Sequence, residues 1–311
     1  MTAAPPAVQI DVDTLAAVSS LQLRARLIVE GLIIGMHRSA RQGVSFEFAQ
    51  HRQYAPGDDL RHLDWKVFAR SDKLYLKQYQ KETNLDLVLV VDASGSMAYT
   101  GRADGRWRKY DLAASVGAAM AYLALKQQDR VALVLFGDRI IAQTRLSNAR
   151  DQFATIIETL EGQQVVQPSS EAGNRTDLGR LFDQVTATLA QRSLVVLLSD
   201  LFDEPAALQR GLARLAHRRH DLILMQILDP DELTFPFRDP STFVGLEAEG
   251  SLNVDPASLR RTYLSALSAH LQHVEQLARG HRYDYLLLNS AEPVAAALSR
   301  FLARRQAGTS R

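Results

Sequence analysis

The 311-residue chain contains no cysteine. This absence excludes disulfide bonds, thiolate metal sites and cysteine nucleophiles. The formal net charge is only +1, so no overall field favours nucleic acid or a membrane surface as a partner. No apolar run reaches the roughly 18 residues of a membrane span, and the N-terminus lacks the pattern of a secretory signal. With 46% hydrophobic and 23% charged residues, the composition predicts a soluble globular protein, which we expect in the cytoplasm.

Apolar segments rich in β-branched residues alternate with segments of helical periodicity from Leu85 onward. The apolar segments that we interpret as strands are 85–91, 131–136, 193–199, 222–228 and 283–288. Near-continuous apolar character is typical of parallel strands that are buried on both faces, and the helices between them supply the cover. The alternation therefore predicts an α/β fold with a doubly wound, mostly parallel sheet flanked by helices.

The first 82 residues have a different character. Helical spacing of leucines predicts a helix over about 13–35, and a polar stretch rich in Arg, His and aromatic residues follows it. Alternation at 44–48 and 74–79 predicts short strands there. A segment this short can bury only a small hydrophobic core of its own. We therefore expect 1–82 to be a helix and small β-rich extension packed on the main domain. The main domain is predicted over 83–311, with a small hairpin excursion near 232–253.

The segment Asp92-Ala-Ser94-Gly-Ser96 follows the first predicted strand directly. Its carboxylate and two hydroxyl groups, at alternate positions, are oxygen donors suited to a hard divalent cation such as Mg²⁺. Thr176, at a predicted helix start, and Asp200, just after the strand at 193–199, offer further oxygens. Because the carboxyl ends of the strands share one edge, we expect all five side chains to meet there, some acting through water. The alternative is that both aspartates only cap helices or turns.

The five residues resemble the metal-ion-dependent adhesion site of von Willebrand factor A domains. Asp92, Ser94 and Ser96 match the Asp-x-Ser-x-Ser motif of that family, and Thr176 and Asp200 match its second and third motifs in order. The resemblance implies a von Willebrand factor A-like domain that binds Mg²⁺ or Mn²⁺, with a partner's carboxylate at the open position of the ion. The ion would attract that carboxylate, since neutral hydroxyl ligands compensate the charge of the ion incompletely.

A second signature precedes this site. Its sub-motifs are His37-Arg-Ser39, Gly43-Val-Ser-Phe-Glu47-Phe48, Arg52-Gln-Tyr54-Ala-Pro56-Gly57-Asp58-Asp59, Arg61-His-Leu-Asp64-Trp65 and Ala69-Arg70. Together with the Asp92 loop, they resemble the domain of unknown function 58 family. The resemblance implies a protein partner, either a MoxR-type AAA+ ATPase or its client. The signature itself is interpreted either as a polar network that folds and orients the segment or as part of a partner-binding face.

These features favour a metal-dependent protein-interaction or adaptor module that works with such an ATPase in protein remodelling or complex maturation. The chain has no Gly-x-x-x-x-Gly-Lys-Ser/Thr loop, so the energy would come from the partner. The alternative is a Mg-dependent, phosphatase-like hydrolase, since haloacid-dehalogenase-like phosphatases place a nucleophilic aspartate where Asp92 stands. Their motif has a second acid where this chain has Ser94, which leaves no obvious general acid. We therefore expect no enzymatic activity.

Overall fold

The computed structural model describes residues 12–40, 51–53, 75–77, 85–101, 107–162, 178–187, 189, 191–246 and 250–309. The chain divides into two compact units, one of Met1–Gly35 with Leu85–Arg311 and one of Met36–Asn84. The predicted boundary between residues 82 and 83 stays a prediction. Among the described helices, none is both long enough and apolar enough to cross a membrane.

Two helices come first among the described residues, α1 (Val12–Ala17) and α2 (Leu21–Ala40). The buried side chains of α2 recur at helical spacing: Leu21, Ala25, Ile28, Val29 and Leu32. The prediction of one continuous helix over 13–35 is wrong, because the chain leaves the helix at residues 18–20. The Ser20 hydroxyl accepts a hydrogen bond from the backbone N–H of Leu23 at 3.3 Å, as a helix cap does, and so favours a new start there.

The smaller unit contains two short strands, β1 (His51–Gln53) and β2 (Tyr75–Lys77). They pair antiparallel, with Arg52 opposite Leu76. Strand β2 lies within the stretch 74–79 that alternation predicts as a strand, whereas β1 was not predicted. The strand predicted at 44–48 and most of the Arg- and His-rich signature lie outside the described residues.

The larger unit is built on a central sheet. The strands described in this unit are β3 (Asp86–Asp92), β4 (Arg130–Phe136), β5 (Ile140–Gln143), β6 (Leu194–Ser199), β7 (Asp221–Leu228), β8 (Ser241–Val244), β9 (Ser251–Val254) and β10 (Asp284–Asn289). Strands β8 and β9 form a hairpin separate from the central sheet. The six-stranded sheet has the order β10-β7-β6-β3-β4-β5, and β8 pairs only with β9. Every neighbouring pair of the six is parallel except β4 with β5, which is antiparallel. The predicted α/β fold with a mostly parallel sheet is confirmed.

Helices flank this sheet. They are α3 (Lys109–Lys126), α4 (Gln152–Glu161), α5 (Leu178–Ala187), α6 (Pro205–His217), α7 (Pro230–Thr234), α8 (Pro256–Gly280) and α9 (Val294–Thr309). Val88 and Val90 point into a buried cluster with side chains of α5, α6 and α8. A methyl group at Gly117 of α3 would lie 3.6 Å from the side chain of Val91. Because alternate residues of β3 face different helices, the central strand is covered on both sides, which explains its continuous apolar sequence.

The amino end of β3 is fixed by a buried carboxylate. Asp86 is 2% exposed and accepts two hydrogen bonds from the Arg130 guanidinium of β4, both at 2.7 Å. Its Oδ2 also accepts a hydrogen bond from Gln191 Nε2 at 2.8 Å. The two-pronged contact with arginine has the geometry that makes such pairs strong, and it aligns β3 with β4 at this end.

The order of the strands reverses between β3 and β6, because the chain adds strands first on one side of β3 and then on the other. Crossover connections on either side of such a point diverge, so a crevice opens there beyond the carboxyl ends of the strands. Asp92 is the last residue of β3, and Asp200 follows β6 directly. The topology thus brings two of the predicted site residues to the same crevice.

Gly211 of α6 lies against α5, and replacing it with Ala is expected to destabilise the fold. An added Cβ would stand 2.5 Å from Cδ2 of Phe182 and 3.3 Å from the carbonyl oxygen of Leu178. Phe182 is fully buried, so its ring could move aside only by displacing its neighbours in the core. We expect Gly211→Ala to lower the free energy of unfolding by about 1–3 kcal/mol in urea denaturation. Gly280→Ala is the matched control, because nothing lies within 4 Å of its added Cβ; an equal loss in both variants would contradict the packing argument.

Candidate functional site at the carboxyl edge of the sheet

The loop after β3 brings three of the predicted donors together. The Oδ1 atom of Asp92 accepts a hydrogen bond from the backbone N–H of Ser94 at 2.8 Å. An aspartate that bonds the backbone two residues later turns the chain, which ends the strand at this point. A 3₁₀ helix, Gly95–Ala98, follows. It leaves the hydroxyl oxygens of Ser94 and Ser96 3.1 Å apart.

A hydrogen bond across the switch point joins this loop to β6. Ser199, the last residue of β6, donates its hydroxyl hydrogen to Oδ2 of Asp92 at 2.6 Å. The same hydroxyl oxygen accepts a hydrogen bond from the backbone N–H of Leu201 at 3.0 Å. Ser199 was not among the predicted site residues, although its position just before Asp200 is the signal that could have indicated it.

Asp200 is buried, with 3% of its surface exposed, and it is paired with a lysine. Its Oδ2 atom accepts a hydrogen bond from Lys109 Nζ at 2.8 Å. Its backbone carbonyl accepts another from Gln226 Nε2 of β7 at 2.8 Å. Asp200 is thus held on both its side chain and its backbone, which fixes it at the crevice.

Lys109 is the first residue of α3, and only 1% of its side chain is exposed. Besides Asp200, its ammonium group contacts Oε1 of Glu232 at 2.7 Å. Burial on its own would lower the pKa of Lys109, but the charges and hydrogen bonds of the two carboxylates more than offset burial and raise that pKa above its ordinary value. The ammonium is therefore charged at physiological pH. Sequence reasoning missed both Lys109 and Glu232.

Asp92 has an unusually high affinity for a proton. Burial, together with a smaller effect of the negative charge of Asp200, raises the pKa of its carboxyl group to about 7. The hydrogen bonds from Ser199 and Ser94 act in the opposite direction without cancelling it. Asp200 and Glu232 place two carboxylates around the ammonium of Lys109, and Asp92 lies close enough to Asp200 for their charges to interact. This cluster carries surplus negative charge in a desolvated position, which favours a cation.

Asp92, Ser94 and Ser96 fit a small, hard divalent cation, since all three offer oxygen and lie within one turn. Across the described ranges, no group of three or more His, Cys, Asp or Glu side chains could hold a metal ion. An ion here would therefore rely on hydroxyl groups and water, which suits Mg²⁺ because it usually keeps several water ligands. Thr176 lies outside the described residues. Asp200 has one oxygen on Lys109, so we expect it to act on an ion through water.

The chain matches a family profile described as "Protein of unknown function DUF58" over residues 50–273. It is also similar to an uncharacterized protein of Mycobacterium tuberculosis, with 29% identity over 297 residues that cover 94% of this chain and 90% of that protein. An uncharacterized protein of Mycobacterium bovis gives the same values. The match to these relatives therefore extends well beyond the Asp92 loop.

Two solved structures show a weaker likeness. BatB, a conserved hypothetical protein from Bacteroides thetaiotaomicron, aligns with a TM-score of 0.46 and 12% identity, over 71% of this chain and 98% of that one. The von Willebrand factor A domain of SpRpn10 aligns with a TM-score of 0.39 and 11% identity, over 69% and 93%. Likenesses of this size carry no argument about function.

Proposed function

The chain belongs to the DUF58 family, and from that premise we propose that it is a protein-interaction adaptor whose carboxyl edge binds its partner through Mg²⁺ or Mn²⁺. The observation that supports this most is the convergence of Asp92, Ser94 and Ser96 in one turn at the switch point of the sheet. When bound, the ion supplies a positive charge that attracts a carboxylate of the partner. The chain's own contribution is to hold the oxygen donors in place within one turn.

The edge also offers an apolar contact beside the metal-binding loop. Leu201 has a left-handed backbone, with φ of 57°, and is itself buried. The neighbouring Phe202 is 47% exposed, and its ring stacks on that of His270 with centroids 5.5 Å apart. Exposed aromatic rings are enriched where proteins bind one another. A partner that presents a carboxylate next to an apolar side chain would match this arrangement.

We propose a MoxR-type AAA+ ATPase, or a client of one, as this partner; membership of the DUF58 family supports the choice. The test is capture of the purified ATPase by the immobilised full chain, in Mg²⁺ and in excess chelator. We expect capture in Mg²⁺ and its loss in chelator, restored when Mn²⁺ is added back. Equal capture in Mg²⁺ and in chelator would remove the metal from the proposal, and no capture in either condition would remove the ATPase.

We propose further that the Asp92 loop is not a hydrolase centre. Both oxygens of Asp92 accept hydrogen bonds, from the Ser94 backbone and the Ser199 hydroxyl, and the residue is only 3% exposed. A nucleophilic carboxylate needs access to its substrate, and an acid is needed to protonate the leaving group. We therefore expect no phosphatase turnover by the purified chain in Mg²⁺ with a chromogenic phosphate ester. Turnover that Asp92→Asn abolishes would contradict this and favour the hydrolase alternative.

A further inference from the structure

A buried lysine is the feature of this edge that the proposed function does not use. Lys109 lies between Asp200 and Glu232, with N–O distances of 2.8 and 2.7 Å. Its ammonium also lies 5.5 Å from the centre of the Phe202 ring and 6.0 Å from that of Tyr99. A desolvated ammonium is costly unless charge and hydrogen bonds compensate it. Here they do, since two carboxylates and two aromatic faces surround one positive charge.

Asp200 was predicted to face a divalent ion, yet its Oδ2 atom faces this ammonium. We infer that Lys109 is a resident cation of the site: it holds Asp200 when no metal is bound, and it competes with a divalent ion for that carboxylate. This inference rests on the proposed function for the identity of the competing ion. It names a positioning role for Lys109, which acts on the metal site through Asp200.

The second partner of Lys109 makes such competition feasible. Glu232 accepts the ammonium on Oε1 and the backbone N–H of Asp229 on Oε2, so the end of β7 and the start of α7 fix its position. If Asp200 turned towards a metal ion, the lysine would keep its hydrogen bond to Glu232. It would therefore not be left as an unpaired buried charge, which is the costly outcome. Asp200 can therefore exchange the ammonium of Lys109 for a metal ion without leaving the lysine charge uncompensated.

The test is Mn²⁺ titration of Lys109→Met by calorimetry, beside wild type. Removing the resident charge makes the site more negative and leaves Asp200 to the ion, so we expect Mn²⁺ to bind about tenfold more tightly or more. Lys126→Met is the matched control, because Lys126 lies exposed at the other end of the same helix and should leave Mn²⁺ affinity unchanged. Unchanged or weaker Mn²⁺ binding by folded Lys109→Met would overturn the inference, as would the absence of binding in every variant.

A second variant covers the case in which Lys109→Met does not fold. Glu232→Gln keeps the lysine but removes one of its two carboxylates, so the ammonium is committed to Asp200. We expect Mn²⁺ to bind about tenfold more weakly than to wild type, and equal or tighter binding would overturn the inference. The proposed function can fail independently of this inference. If Lys109→Met binds Mn²⁺ more tightly than wild type but partner capture resists chelator, the partner does not bind through the metal, and the role of Lys109 still stands.

Discussion

Asp92→Asn is expected to abolish metal-dependent capture of the partner and to lower Mg²⁺ or Mn²⁺ affinity by about 100-fold or more. Loss of an outer partner of a metal ligand already costs about 10–100-fold, and Asp92 is the one charged donor in the Asp92, Ser94 and Ser96 turn. Asn has the same size and keeps an oxygen for the Ser94 backbone, so the turn should persist. Metal titration by calorimetry and the capture assay measure the two effects.

Asp138→Asn is the matched control for this variant. Asp138 is exposed in the turn between β4 and β5, at the same edge of the sheet, so it loses a charge of the same kind without touching the turn at Asp92. We expect its metal affinity and partner capture to equal those of wild type. A similar fall in both variants would mean that the edge acts through its overall charge, which would contradict a site built on Asp92.

Phe182→Ala is expected to have the largest effect on folding, lowering the free energy of unfolding by about 3–5 kcal/mol. Phe182 is fully buried, and its ring fills the space beside Gly211 where α5 meets α6. Since α6 also packs on β7, the cavity left by the ring would lie within the main core, where surrounding side chains cannot collapse fully. Urea denaturation followed by circular dichroism measures the change.

Phe202→Ala also removes a phenylalanine ring, but from a position that is 47% exposed, and it therefore serves as the control. We expect a loss of about 1 kcal/mol or less, because little of the ring leaves contact with the core. Equal losses for Phe182 and Phe202 would contradict the assignment of Phe182 to the core. Since Phe202 lies at the proposed interface, the same variant should weaken capture of the partner while leaving the fold intact.

The sequence predicts the sheet well for a physical reason. Strands buried on both faces have continuous apolar runs, so β3, β6 and β7 stand out without any knowledge of their partners. Residues that end such strands are then placed at one edge by topology alone, which is how Asp92 and Asp200 were predicted to share a crevice. The break between α1 and α2 was missed because it depends on a single cap at Ser20, which the leucine spacing does not reveal.

Lys109 could not be predicted, because nothing local distinguishes it. A lysine at the first position of a helix is usually exposed. Its two partners lie 91 and 123 residues further along the chain, so its burial depends on contacts that only the folded sheet creates. Sequence patterns identify residues that share an element or a strand end. They do not identify a buried charge whose partners lie far along the chain.

The hydrogen bond between Ser199 and Asp92 has a mechanical consequence. Strand β3 is tied to β6 by this bond at its carboxyl end and to β4 by the Asp86–Arg130 pair at its amino end. A partner pulling on the Asp92 loop would therefore load β3 in shear against both neighbouring strands. The ladder hydrogen bonds that join β3 to its parallel neighbours β4 and β6 would share that load.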